Sequence, residues 1–126
     1  MISIDEMQSM LEELAAELPQ EFYNKLNGGI ILLPQHKMHP KNRANDLYIM
    51  GEYHRDASLG RYIAVYYGSF IRVYGHTSPE QIKQRLRSVL RHEFRHHLES
   101  MAGERGLEAE DEQNIERYLR RYGREP

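Results

Sequence analysis

The chain has 126 residues, a length that supports one domain (1–126) around a single modest core. Its 17 basic and 19 acidic residues leave a formal net charge of −2, so no basic field argues for a nucleic-acid partner. The absence of cysteine excludes a disulfide framework and a thiolate metal site and fits a reducing cytoplasm. No signal peptide and no apolar run of membrane-spanning length is visible, so the expectation is a cytoplasmic protein without a membrane partner.

Ser3-Ile4-Asp5-Glu6 forms a capping box and opens a helix that turns Ile4, Met7, Leu11, Leu14, Ala15 and Leu18 inward. Pro19 ends that stripe, and a short turn runs from Gln20 to Leu26. Ile30 to Leu33 reads as a short buried strand stopped by Pro34. Gln35 to Asn45 reads as a mobile polar connection, with His36 and His39 exposed in it. Leu47 to Tyr53 alternates as a second strand. Tyr62 to Tyr67 and Phe70 to Tyr74 read as two more, joined by a two-residue hairpin turn at Gly68-Ser69.

Ser78-Pro79-Glu80-Gln81 is a second helix start: Ser78 caps, Pro79 suits the first helical position, and Gln81 completes a capping box. From there Ile82, Leu86, Val89, Leu90, Phe94, Leu98 and Met101 make one apolar stripe, broken by Gly103 and Gly106. Gln84, Ser88, Arg91 and Arg95 project away from the stripe. A last helix follows, with Leu107, Ile115, Tyr118, Leu119 and Tyr122 inward. The fold class expected is α+β: an N-terminal helix, a three- to four-stranded sheet and two helices.

The first of those two helices carries His92-Glu93-Phe94-Arg95-His96, an H-E-x-x-H sequence. Four residues apart on a helix, His92 and His96 point the same way and can hold one zinc ion (Zn2+). Glu93 is angled away from the ligands, where it can reach a water as general base. Both histidines and Glu99 lie along one edge of the apolar stripe, at a border between core and cleft. His97 projects near the stripe's centre and reads as a packed or hydrogen-bonded core histidine.

Catalytic zinc takes three protein ligands and keeps a position open. In the longer H-E-x-x-H-x-x-G-x-x-H pattern a glycine and a third ligand follow the second histidine, but here those offsets hold Glu99 and Ala102. Glu99 would form a near-linear row with the histidines and fits better as an acceptor for a ligand histidine N–H. Asp111 projects onto the apolar stripe of the last helix, where a carboxylate is costly unless paired or bound to metal. It is the leading candidate for third ligand, against an ion pair with an arginine or His97. Glu104 and Glu108 flank the turn and are substitutes, while Glu110 and Glu112 read as surface charges.

The order of elements, the stretch from Leu47 to His54, Tyr66-Tyr67-Gly68 and the H-E-x-x-H-H opening resemble the minimal zincin-like metallopeptidases of bacteria. The resemblance covers roughly the second two-thirds of the chain. It implies a compact zincin fold, an edge strand holding a peptide or protein substrate above the metal, and zinc-dependent peptidase activity. It carries over His92 and His96 as ligands and Glu93 as general base. Many members continue with G-x-x-D, from which this chain departs. The rival expectation is a non-catalytic binding protein of the same fold, with metal absent or closed off by a fourth ligand such as His54 or His76.

Overall fold

A computed structural model describes residues 1–40 and 47–103. Helix α1 (Ile4–Ala16) begins at the expected capping box, in which Ser3 accepts from the Glu6 backbone and Glu6 accepts from the Ser3 N–H. Met7, Leu11 and Leu14 are buried along it. A single 3-10 turn (Gln20–Tyr23) then buries Phe22 and leads to strand β1 (Gly29–Leu33).

Strands β2 (Gly51–Asp56) and β3 (Gly60–Tyr66) form an antiparallel hairpin, and β1 pairs parallel with β3, giving the order β1-β3-β2. The hairpin turn is closed by Asp56, whose carboxylate accepts from the Leu59 N–H, the Ser58 hydroxyl and the Ser58 N–H. Those three donors hold its pKa below the usual aspartate value. Gly60 takes φ +75°, a conformation that L side chains rarely adopt.

Two expectations fail here. Phe70 to Tyr74 is not a strand: Tyr67–Tyr74 is helix α2, and Gly68-Ser69 is its first turn rather than a hairpin. A side-chain carbon on Gly68 would stand 2.6 Å from the His36 backbone nitrogen. Gly68 N–H donates to the Gln35 carbonyl, and the buried Ser69 hydroxyl accepts from the Lys37 N–H. Phe70, Ile71 and Tyr74 also satisfy helical spacing, so a short apolar run was ambiguous and tertiary contact decided it. The same contacts reach residues 35–37, at the start of the polar connection. Lys37 and His39 exchange backbone hydrogen bonds with Ile49 and Leu47 around a Met38–Tyr48 bridge. Leu47 to Ile49 therefore pairs with that segment, and β2 starts at Gly51 rather than at Leu47 as alternation suggested.

Helix α3 (Pro79–Ala102) starts at Ser78, whose hydroxyl accepts from the Gln81 N–H. Ile82, Leu86, Leu90, Phe94, Leu98 and Met101 bury its stripe against α1 and the sheet. Lys83 pairs with Glu13 and Arg87 with Glu17, fixing the two helices at their rims. The described residues thus form a small α+β fold of three α-helices and one three-stranded mixed sheet. None of these helices is long and apolar enough to cross a membrane. The expected C-terminal helix lies outside the described residues.

Candidate active site

Because the stripe of α3 is clamped by the core, the angular position of every other residue on that helix is fixed. His92 and His96 emerge at its border, as the spacing predicts, and their Nε2 atoms converge to 3.1 Å. The rings stand nearly perpendicular, 4.6 Å between centroids. The Nε2 separation is hydrogen-bond distance, and it is also close to the roughly 3.3 Å that separates two tetrahedral zinc ligands held at roughly 2.0–2.1 Å. Glu93, one residue on, is turned into the fold and only 6% exposed.

What buries Glu93 is the edge strand. A side-chain carbon on Gly51 would lie 2.8 Å from Val89 Cγ1 and 3.5 Å from Glu93 Cγ, so glycine lets β2 close onto α3 at the motif. The Tyr66 N–H donates to the Met50 carbonyl, making Met50–Tyr66 a hydrogen-bonded pair. By antiparallel alternation Glu52 and His54 also bond inward to β3, while Gly51 and Tyr53 turn their backbone groups to the outer edge. That edge and α3 bound a cleft lined by Gly51, Tyr53, His92, Glu93, His96 and Ser100. A second cavity of about 340 Å3 continues it toward the N-terminal end of α3, past Val89, Ser88 and Arg85.

His97 is buried, as its place in the stripe predicts. Its Nε2 donates to the Asn24 carbonyl at 3.0 Å, which leaves Nδ1 to accept from the Tyr53 hydroxyl at 2.9 Å. Burial holds its pKa below the ordinary histidine value, against the Asn24 bond. The side chain is a strut between the 3-10 turn, α3 and β2.

Glu52 lines the cleft too. It accepts from Tyr66 Oη at 2.7 Å and Lys37 Nζ at 2.6 Å, and its carboxylate pairs with His54 Nε2 at 3.2 Å. Partial burial opposes its charge, but the Lys37 and Tyr66 bonds outweigh that and keep its pKa below the usual range.

Of the residues expected at the site, His92, Glu93 and His96 come together. Glu99 is exposed on α3, and among the described residues no group of three His, Cys, Asp or Glu side chains is arranged to hold a metal ion. Asp111, with Glu104 and Glu108, lies outside the described residues. His54 pairs with Glu52 and stacks on Tyr62, and His76 is exposed beyond α2. His36 and His39 are exposed, and His39 borders the cleft. The outward face of α3 needs correction: Ser88 lines the second cavity, and Arg91 and Arg95 are half-buried.

No protein-family model and no curated protein matches the chain. A solved structure does: a conserved hypothetical protein from Thermus thermophilus, 33% identical, with a TM-score of 0.69. The match covers 80% of this chain and 98% of that one. The chain belongs to that protein's family. Kinship of this kind supports the α+β architecture. Sequence reasoning missed the contributions of Gly51, Glu52, Ser88 and Arg85. Gly51 carried a signal, a glycine within an alternating strand, which marks close backbone approach.

Proposed function

We propose that the protein is a zinc-dependent peptidase of the zincin-like type. The observation that carries this is the 3.1 Å approach of the His92 and His96 Nε2 atoms with Glu93 buried beside them under an edge strand. His92 and His96 would hold the ion, with Asp111 as the proposed third ligand. Zinc, when bound, supplies Lewis acidity and draws the pKa of water toward about 7.

The chain's own part is positioning and proton transfer. A substrate segment adds to the outer edge of β2 through the backbone groups of Gly51 and Tyr53, which fixes its carbonyl beside the motif. Glu93 takes a proton from the attacking water as its oxygen bonds to the carbonyl carbon. Glu93 returns that proton to the amine nitrogen as the carbon–nitrogen bond breaks.

The deciding experiment is the metal content of untagged protein by elemental mass spectrometry, beside His96→Ala and Asp111→Ala. Near-stoichiometric zinc, lost in His96→Ala and weakened in Asp111→Ala, is the expected result. Absence of metal after incubation with zinc refutes the reading. The rival, a non-catalytic protein with a closed or absent metal, draws on the lack of a three-residue group among the described residues. Zinc without an exchangeable water would decide for it.

A further inference from the structure

The cavity beyond Glu93 has a chemistry of its own. Ile49, Met50 and Val89 give it apolar walls, Ser88 adds a hydroxyl, and Arg85 stands at its far end. The Arg85 guanidinium lies over the Tyr74 ring, 5.5 Å from the centroid. A planar cation held on an aromatic face keeps its in-plane N–H groups available for a carboxylate. The other cations on this part of α3 are engaged differently: Lys83 pairs with Glu13 and Arg87 with Glu17. Arg85 makes no ion pair among the described residues.

Position and direction follow from geometry. Arg85 precedes Glu93 by two helical turns, about 12 Å along the axis, yet both line the same 340 Å3 cavity. Gly51 meets Val89 and Glu93, and Tyr53 meets His97, so β2 runs in the same sense as α3. Antiparallel pairing with β2, the more stable arrangement per residue, therefore sends the C-terminal side of a bound peptide toward Arg85; the pairing ends at Gly51, because the Ile49 N–H already donates to the Lys37 carbonyl. A volume of this size takes one large side chain and its polar end.

We propose that this cavity selects a carboxylate on the C-terminal side of the scissile bond, within about two residues of it, and that Arg85 is the specificity-determining residue. The carboxylate is either a glutamate side chain or the substrate's own C-terminus. The assignment rests on the peptidase reading for its meaning, but its test does not require turnover.

The test is binding of short blocked peptides to wild-type protein and to Glu93→Gln, followed by amide NMR shifts. One arm varies an internal residue (Glu, Gln or Lys) in C-terminally amidated peptides, placed on either side of the central bond. The other compares a free C-terminus with its amide. Expected is about tenfold tighter binding for the carboxylate-bearing member of one arm, on the C-terminal side only, with shifts at Tyr74 and Ser88. Arg85→Gln should level the series, and Arg85→Glu should turn it in favour of Lys, which a merely structural arginine would not do. Equal binding of Glu, Gln and Lys peptides together with equal binding of acid and amide overturns the proposal. So does a preference that survives Arg85→Gln, or no binding at millimolar peptide. A charge preference without any hydrolysis would keep this assignment and refute the peptidase; zinc-dependent hydrolysis without the preference would do the reverse.

Discussion

His96 and His97 are adjacent in the chain and lie on two faces of α3 with opposite fates. His96 is exposed and aims its Nε2 at His92, while His97 is fully buried between Tyr53 and Asn24. One step of about 100° around the helix separates a solvent-facing group that meets its neighbour one turn away from a group locked by two hydrogen bonds. The outer face stores chemistry at little cost to the fold. The inner face spends its polar atoms on holding the edge strand against the helix.

The sharpest break in this contrast comes from Glu93, which belongs to both faces. Glu93→Gln should keep zinc and lower peptide hydrolysis by about 10²–10⁴-fold, read from kcat/KM beside metal content. Hydrolysis at the wild-type rate would remove Glu93 from its role. On the outer face, His96→Ala should abolish zinc binding while changing the stability of the metal-free protein by less than about 0.5 kcal/mol. On the inner face, His97→Leu should do the opposite. It leaves the Tyr53 hydroxyl and the Asn24 carbonyl without their histidine partner, at a cost of about 1–3 kcal/mol in urea unfolding.

Acid should act first through the carboxylates. Glu52 has a folded pKa below its unfolded value of 4.5. Its stabilisation is therefore complete above pH 4.5 and is lost as pH falls through the lower folded value. Glu52→Gln should flatten the stability–pH curve in that acid window and leave the neutral range parallel to wild type. Smallest of all, Arg87→Ala, which removes a rim pair with a partly exposed Glu17, should cost under about 1 kcal/mol and fade with salt.

Much of this was written locally. Both helix starts, the apolar stripe of α3 and the border position of His92 and His96 follow from spacing alone, because helix geometry ties sequence distance to direction. What spacing could not supply was the other wall of the cleft. Gly51, Tyr53 and Glu52 matter through register against β3 and contact with α3, and neither is a local property. Phe70 to Tyr74 shows the same limit, since the approach of residues 35–37 decided between helix and strand. Glu99 is exposed and makes no metal-holding trio with the histidine pair among the described residues, as a rigid row of side chains on one helix leads one to expect.

The Tyr53–His97–Asn24 chain has a further consequence. It bolts the edge strand, the motif helix and the first turn after α1 into one frame. If a peptide adds to that edge as proposed, the entropy of ordering falls on the incoming segment alone, which gains backbone partners on a strand already held in place. Cutting the bolt should consequently loosen grip on a peptide more than it alters the histidine pair. The protein would recognise less well before it reacted less well.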